Sequence, residues 1–213
     1  ISLGGYRKAV DEAQEELGAP FTIPFAKCWH HNARFRDMMA GLVREGLAQF
    51  PEAERDNVTV VFSAHSLPDR IRTWDDPYER QLLESSGAVA DKLGLSNWRF
   101  AFQSAGNTGE PWLGPDIVDF LDTLHGEGVK NVLSVPIGFV SDHLEILFDL
   151  DIEAKGKAEE LGITYYRTPM PNTRPEFIET LASIVHENLE APVSCPCYPD
   201  LVQVKPLQSA GAR

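Results

Sequence analysis

Val58-Thr59-Val60-Val61-Phe62 decides the fold, because it is an uninterrupted run of β-branched and aromatic residues. A run without polar alternation is typical of a strand that is buried on both faces, as in a parallel sheet covered by helices. The run stops at Ser63-Ala64-His65, where polar side chains begin. The stretch therefore predicts a central strand whose carboxyl end carries a histidine.

Strands and helices alternate along the chain on both sides of this run. Further strands are predicted at residues 98–102, 131–136 and 163–166, and residues 21–26 form an extended, proline-broken stretch that suits a sheet edge. Helices are predicted at residues 3–17, 32–50, 77–93, 116–125, 142–161 and 175–189. This alternation indicates βαβ units, so we predict an α/β fold with a doubly wound, mostly parallel sheet and helices on both faces.

The composition limits the classes of partner. The chain has 213 residues, 43% of them hydrophobic, which is enough for one core domain with appendages. The formal charge of −13 argues against a nucleic-acid surface and disfavours anionic lipid. No apolar run approaches the roughly 20 residues of a membrane span. Three cysteines make no disulfide framework, so we expect a cytoplasmic location. From the negative charge we expect no nucleic-acid partner.

Two polar side chains follow predicted strands and are candidates for chemistry. His65 ends the first strand, and Glu145 lies in Ile137-Gly138-Phe139-Val140-Ser141-Asp142-His143-Leu144-Glu145, after a later strand. Ligands of open α/β sheets bind at the carboxyl ends of the strands. An imidazole there can act as a base near neutral pH or bind a metal. The alternative is a histidine that is merely hydrogen-bonded in a loop.

Glu145, Asp149 and Glu153 are spaced four residues apart, which places them on one face of a helix. Like charges at this spacing repel each other by roughly 0.2–0.5 kcal/mol per pair, and a divalent cation or shared protons would relieve the repulsion. The alternative is a solvated acidic face. His143 lies two residues before Glu145 and would point elsewhere on a regular helix, so we interpret it as structural.

A glycine-rich loop and three cysteines complete the candidates. The loop, residues 103–112, ends in Trp112, whose flat apolar ring could support a planar ligand or simply pack the loop. Cys195 and Cys197 form a C-x-C pair near the carboxyl end, and Cys28 lies far away in the sequence. Thiolates can hold zinc or an iron–sulfur cluster, but four ligands are the norm, so free thiols remain the alternative.

Several long strings together resemble the ferrochelatase family, and the likeness extends over about residues 1–190. They are Ser63-Ala64-His65-Ser66-Leu67-Pro68, Gln103-Ser104-Ala105-Gly106-Asn107-Thr108, Pro111-Trp112-Leu113-Gly114-Pro115, Pro136-Ile137-Gly138-Phe139-Val140-Ser141-Asp142-His143-Leu144-Glu145, and Tyr166-Arg167-Thr168-Pro169-Met170-Pro171-Asn172. The resemblance implies an enzyme that inserts ferrous iron into a porphyrin in haem biosynthesis. It also implies a chelatase-like fold of two similar halves, of which this chain is similar to the second half and a joining segment.

The resemblance assigns roles to particular residues. It implies that His65 and Glu145 are catalytic, on opposite sides of a porphyrin cleft, and that Asp149 and Glu153 join them as metal ligands. Binding of the porphyrin substrate is assigned to a further set of residues: Ser63, Ser104 and Trp112. The partners are therefore a porphyrin, ferrous iron and the missing amino-terminal half of the same protein, and we do not expect this chain to be active alone.

The carboxyl-terminal cysteines are similar to those of family members that hold a [2Fe–2S] cluster. Cys28, Cys195 and Cys197 would be three of its ligands, whereas position 202 is a valine. The acidic composition and the cysteine pair together favour an actinobacterial-type enzyme. That likeness implies coproporphyrin III rather than protoporphyrin IX as the substrate.

Two alternative functions stay open. One is a cobalt or nickel chelatase of the same architecture, because the metal-facing residue types barely distinguish these ions. The other is a non-catalytic module that binds metal or tetrapyrrole without turnover. In each case we predict a ferrochelatase-like α/β domain over residues 1–190, which includes the amino-terminal joining helix, and a cysteine-bearing tail over residues 191–213.

Overall fold

Four parallel strands form one sheet in the part of the chain that the structure describes. The computed structural model describes residues 2–18, 23–26, 28–74 and 76–190. The strands are β1 Thr59–His65, β2 Trp98–Gln103, β3 Asn131–Val135 and β4 Thr164–Arg167, in the order β2-β1-β3-β4. The all-parallel pairing confirms the predicted α/β class. Residues 23–26 belong to no strand, and residues 21–22 lie outside the described part.

The helices follow the predicted positions closely, with one exception. They are α1 Ser2–Leu17, α2 Ala33–Leu47, α3 Tyr78–Leu93, α4 Ile117–Gly126, α5 Leu144–Phe148, α6 Lys155–Glu160 and α7 Pro175–Glu190. Two 3₁₀ helices, Glu52–Asn57 and Asp69–Trp74, were not expected from the sequence. Both are short and mostly exposed, so they leave little apolar periodicity for a sequence pattern to detect.

The exception is the predicted regular helix over residues 142–161, which is wrong in two respects. The helix begins only at Leu144, with His143 in an extended conformation as its amino-terminal cap. A π-helix, Asp149–Ala154, then separates α5 from α6. A π-turn closes its hydrogen bonds over five residues instead of four, and side-chain periodicity barely registers such a short change.

Local side-chain bonds set where two helices begin. Asn32 caps α2, because its side-chain oxygen accepts a hydrogen bond of 3.1 Å from the backbone N–H of Phe35. Asp116 caps α4 by accepting from the N–H of Val118 at 2.9 Å. Such caps satisfy backbone donors that have no partner within the helix. They fix the first turn of each of these two helices.

The helices cover the sheet with buried apolar side chains. On one face, α4 and the segment 144–160 pack against the strands and form one cluster: Val61, Ala101, Ile117, Leu121, Leu124, Val132, Ile146, Leu150, Ala154, Ala158, Ile163 and Tyr165. On α2, the predicted three-to-four periodicity is confirmed by buried Phe35, Met38, Met39, Leu42 and Val43. Burial of each such side chain contributes roughly 1.5–3 kcal/mol to folding.

The strand order places a topological switch point between β1 and β3. From β1 the chain crosses through α3 to β2 on one side, and from β2 it crosses through α4 to β3 on the other side of β1. The loops that follow β1 and β3 therefore diverge and leave a crevice at the carboxyl ends of these two strands. His65 is the last residue of β1, and Glu145 follows β3 by ten residues.

The chain divides into two compact units. One comprises residues 1–29 with 180–213, and its described part includes α1. The other comprises residues 30–179 and contains the whole sheet with α2 to α6. Residues 191–213 lie outside the described part, so the predicted boundary at residue 190 stays a prediction. Among the described helices, none is both long and apolar enough to cross a membrane.

Candidate active site

His65 and Glu145 meet at the switch point. The imidazole Nε2 of His65 lies 3.4 Å from the carboxylate Oε2 of Glu145. Their side chains are 35% and 53% exposed, so both remain open to solvent and to a ligand. The two side chains are in direct contact, whereas the resemblance implied that they lie on opposite sides of a porphyrin cleft.

The other ring nitrogen of His65 determines what the pair can do. Nδ1 contacts the backbone carbonyl oxygen of Ser66. A carbonyl only accepts, so Nδ1 carries the proton and donates it. In the tautomer that carries its proton only on Nδ1, Nε2 presents a lone pair to the carboxylate of Glu145, and two acceptors face each other. A proton or a cation between them makes this contact favourable.

The spacing of the pair also suits a shared metal ion. Two ligand atoms that each lie about 2.1 Å from one divalent ion are about 3.0–3.4 Å apart at octahedral to tetrahedral angles. The observed 3.4 Å between Nε2 and Oε2 falls within that range. An imidazole and a carboxylate together are acceptable ligands for first-row divalent metals.

A close backbone contact holds the loop that carries Glu145 against β1. We call residues 136–143 the β3 loop. The N–H of Gly138 donates to the carbonyl of Ser63 at 3.1 Å, so the β3 loop continues the strand pairing beyond β3. Farther along, the ring of Phe139 lies 6.4 Å from the His65 ring and 5.1 Å from the His143 ring. His143 thus packs at the margin of the site, two residues before Glu145.

Asp149 is held by Ser104 from the end of β2. The hydroxyl of Ser104 donates to Oδ2 of Asp149. Ser104 has a left-handed φ of 60°, which is uncommon for a residue with a side chain and turns the chain sharply after β2. Ser104, a predicted porphyrin-binding residue, and Asp149, a predicted metal ligand, are therefore joined by a hydrogen bond.

The π-helix keeps the acidic row, Glu145, Asp149 and Glu153, in line. In an α-helix, residues four apart are rotated about 40° past a full turn. In a π-helix, with about 4.4 residues per turn, they fall about 33° short. The two offsets nearly cancel along α5 and the π-helix. Glu145 and Glu153 are exposed and Asp149 is half-buried.

The four predicted metal ligands do not form one closed cage. Over the described ranges, no group of three or more His, Cys, Asp or Glu side chains is placed to hold a metal ion. His65 and Glu145 are in contact, whereas Asp149 is engaged by Ser104.

Trp112 lies over a glycine in the loop that follows β2. A Cβ on Gly106 would lie 2.5 Å from the Trp112 ring, so only glycine permits this packing. The indole N–H of Trp112 donates to Thr108 at 3.0 Å. The segment is also paired with the loop after β1, since the N–H of Leu113 donates to the carbonyl of Leu67 at 2.9 Å. These contacts hold the half-buried ring of Trp112 in one position.

Ser63 is completely buried and lies beneath the site. Its hydroxyl donates to Oε1 of Gln103 at 3.0 Å, which ties β1 to β2 two residues before His65. The Nε2 of Gln103 is buried without a hydrogen-bond partner. The structure therefore does not bring the Ser63 side chain to the opening, in contrast to Glu145.

Three residues near the site carried no recognisable signal on their own. The hydroxyl of Tyr78 donates to the carbonyl of His65 at 2.9 Å, and burial, with a smaller effect of Asp76, raises the pKa of Tyr78 to about 12. Burial also raises the pKa of Asp116, with nearby Asp149 contributing. Arg167, at the end of β4, bonds Asp151 in the π-helix. Each depends on contacts between distant segments.

Of the predicted cysteine ligands, the structure describes Cys28, which is disulfide-bonded. Cys195 and Cys197 lie outside the described residues. A sulfur in a disulfide is not available as a thiolate ligand until it is reduced. The chain has three cysteines, one fewer than the four thiolates that usually hold a [2Fe–2S] cluster.

Comparison with known proteins identifies the family of the chain. The family model for ferrochelatase matches residues 1–189. The chain is 51% identical over 185 residues to a ferrochelatase from Herpetosiphon aurantiacus, which covers 87% of this chain and 61% of that protein. It is 42% identical over 190 residues to a coproporphyrin III ferrochelatase from Bacillus subtilis, with 89% and 61% covered. The chain thus spans about three-fifths of the length of these relatives, and it belongs to the ferrochelatase family.

Proposed function

We propose that the protein inserts ferrous iron into a porphyrin in haem biosynthesis, with His65 and Glu145 at the transfer centre. Family membership supports the reaction, because the relatives are named for it. The single observation that supports the site is the 3.4 Å separation between Nε2 of His65 and Oε2 of Glu145 at the switch point. A proton or a cation between these two atoms makes the contact favourable, and iron insertion involves both.

The proposed chemistry has two parts. The incoming Fe²⁺ loses its water ligands, and the porphyrin loses two N–H protons as its four nitrogens bind the metal. With Nδ1 occupied by the Ser66 carbonyl, Nε2 of His65 is the atom that accepts a pyrrole proton or contacts the ion. The carboxylate of Glu145 then stabilises the imidazolium or serves as the second ligand during transfer.

The acidic row supplies a route for ions or protons in this proposal. Asp149 and Glu153 follow Glu145 along the π-helix, and Glu153 is exposed to solvent. Carboxylates bind hydrated divalent ions through exchangeable oxygen contacts. Asp149 accepts a hydrogen bond from Ser104, so its orientation is fixed at the side of the row that faces β2.

We further propose that the porphyrin lies against Trp112, with Ser104 near its edge. The fixed position of Trp112 over Gly106 supports a flat wall for a planar ring. For Ser63, burial favours an indirect role through Gln103. The greater length of the relatives supports the proposal that the opposite wall comes from sequence that this chain does not contain.

Coproporphyrin III is the proposed substrate. Support comes from relatives at 40–43% identity that carry the name coproporphyrin III ferrochelatase. The actinobacterial-type relationship and the cytoplasmic location stay predictions.

Insertion assays with the protein as its gene encodes it test the function. We expect Fe²⁺ insertion into coproporphyrin III to exceed insertion into protoporphyrin IX, measured by the absorbance of the metallated product. Faster insertion of Co²⁺ or Ni²⁺ than of Fe²⁺ under anaerobic conditions would instead identify a chelatase for another metal. Tight porphyrin binding without any metallated product would identify a binding module and contradict the proposal.

The [2Fe–2S] cluster remains a separate proposal with its own test. Cys28, Cys195 and Cys197 would supply three ligands after reduction, so a fourth ligand of another kind is required. A bound cluster supplies visible absorbance and labile sulfide, which do not depend on activity. Anaerobic purification, a visible spectrum and iron and sulfide analysis decide the question, and protein without sulfide contradicts cluster binding.

A further inference from the structure

Arg167 occupies a buried position at the carboxyl end of β4. Its side chain is only 13% exposed. Nε and Nη2 donate to the two carboxylate oxygens of Asp151 at 2.7 and 2.8 Å, and Nη1 donates to the carbonyl of Thr168 at 3.2 Å. This two-bond geometry is specific to a guanidinium, since a lysine ammonium cannot present two parallel donors.

The same guanidinium reaches a second carboxylate in the β3 loop. Nη2 of Arg167 lies 3.1 Å from Oδ1 of Asp142. Asp142 is further fixed by Asn172, whose amide nitrogen donates to Oδ2 and whose oxygen accepts from the Asp142 N–H, both at 2.8 Å. The backbone N–H of Asn172 donates to the carbonyl of Val140 at 2.9 Å. The β3 loop is thereby tied to the segment that follows β4.

The two carboxylates bound by Arg167 flank the residues of the candidate site. Asp142 lies three residues before Glu145, and Asp151 lies two residues after Asp149. One side chain therefore holds both ends of the segment that carries Glu145 and Asp149. A helix fixed at both ends cannot slide or rotate without breaking these contacts.

Charge gives a second reason for this arrangement. Residues 142–153 carry five carboxylates and no lysine or arginine. Arg167 pairs with two of them, Asp142 and Asp151, from the side of the sheet. Burial lowers the pKa of Arg167, but Asp151 and Asp142 together raise it by more. The pKa therefore lies above the usual value, and the guanidinium stays charged. The three remaining carboxylates are those of the acidic row.

We propose that Arg167 is a positioning residue that sets the distance between Glu145 and His65 by clamping Asp142 and Asp151 together. This inference rests on the proposed function for its effect on metal transfer. It assigns no contact between Arg167 and the substrate. The distance between Glu145 and His65 is set by Arg167 whether or not iron is the ion that binds there.

The test compares Co²⁺ binding by variants of the chain, measured by titration calorimetry. Arg167→Gln removes the charge and the clamp, and Arg167→Lys retains the charge without the two-bond geometry. Loss of a partner that orients a metal ligand typically weakens binding about 10–100-fold, and we expect both variants to fall in that range. The matched control is Arg174→Gln. Arg174 donates two similar hydrogen bonds, of 2.7 and 2.9 Å, to the carboxylate of Glu45, which is not part of the acidic row.

A double-variant comparison identifies the route of the effect. If Arg167 acts through Glu145, Arg167→Gln weakens Co²⁺ binding by less than about two-fold once Glu145→Gln is already present, because coupled residues are not additive. Full additivity of the two losses overturns positioning through Glu145. An unchanged affinity in Glu145→Gln alone counts against the proposed function instead.

A crystal structure of Arg167→Gln provides a readout that does not depend on metal or activity. We expect the Nε2–Oε2 separation to exceed 3.4 Å and the segment 144–154 to move away from β1. A retained separation overturns the inference. If Arg167→Gln does not fold, Arg167→Lys serves for the same measurement, and thermal unfolding of each variant separates instability from displacement.

Discussion

Gly138 lies directly against Ala64, the residue that precedes His65. A Cβ on Gly138 would lie 2.5 Å from the Cβ and 2.9 Å from the Cα of Ala64. These distances are too short for any side chain, and one of the atoms belongs to the backbone of β1. The absence of a side chain at residue 138 is therefore what lets the β3 loop approach β1 and bring Glu145 within reach of His65.

We predict that Gly138→Ala destabilises the fold by about 1–3 kcal/mol, because an added methyl group overpacks a rigid contact. Iron insertion should fall as well, since the β3 loop must move away from His65. Urea unfolding and the insertion assay measure the two effects. Gly41→Ala in α2 is the control: its Cβ would meet nothing within 4 Å, and alanine should stabilise the helix by up to about 1 kcal/mol. Equal stability of Gly138→Ala and the unchanged chain would contradict this explanation.

Gly106→Ala should displace the ring of Trp112. The added Cβ would lie 2.5 Å from the indole, and we expect a loss of about 1–3 kcal/mol together with a change in tryptophan fluorescence. Porphyrin affinity should fall if Trp112 is the wall for the ring.

Gly87→Ala is the matched control for Gly106→Ala. Its added Cβ would lie 3.9 Å from the ring of another tryptophan, Trp98, which is an ordinary van der Waals distance. We expect it to retain wild-type fluorescence. A Gly106→Ala variant with unchanged fluorescence and unchanged porphyrin affinity would show that Trp112 does not form a fixed wall.

Tyr78→Phe should reduce stability at neutral pH but not at high pH. At pH 8, the variant loses the hydrogen bond to the His65 carbonyl, which costs about 0.5–1.5 kcal/mol. The pKa of Tyr78 is about 12 in the folded chain, mainly through burial, and about 10 when unfolded. Between these values the unfolded state has lost a proton that the folded state keeps, so the contribution of Tyr78 falls as pH rises.

By pH 11 this loss amounts to about 1.3 kcal/mol, so the stability difference between Tyr78→Phe and the unchanged chain should vanish or reverse. Denaturant unfolding at pH 8 and pH 11 measures it. Other tyrosines titrate in both proteins and cancel in the difference. A difference that stays constant over this range means that the phenol of Tyr78 is not shielded from water.

Local sequence signals predicted most of the fold. The β-branched run at 58–62 became the central strand, and the apolar spacing of α2 set that helix within a few residues. Such features depend on neighbours in the sequence, so a single sequence contains them. Placing His65 and Glu145 after strands was sufficient to expect both at the same edge of the sheet, because the carboxyl ends of parallel strands meet there. Their direct contact was not predicted.

The details that depend on distant contacts could not be predicted. The π-helix lies within a stretch whose composition suits a regular α-helix, and its residues Leu150 and Ala154 are buried in the cluster against the sheet. The burial of Ser63 follows from its pairing beside β2 and not from its neighbours in sequence. Arg167 gave no signal because its two carboxylate partners come from separate segments.

The central claim is that His65 and Glu145 act as one unit in iron insertion. The most direct measurement is the rate of Fe²⁺ insertion by His65→Ala, Glu145→Gln and the double variant, made in the protein as its gene encodes it. Glu127→Gln, an exposed carboxylate at the end of α4, is the control. We predict that each single variant loses at least about 100-fold in rate and that the double variant loses little more. The free energy of unfolding of all three variants should stay close to that of the control. A wild-type rate in either single variant, or losses that multiply in the double variant, would contradict the claim.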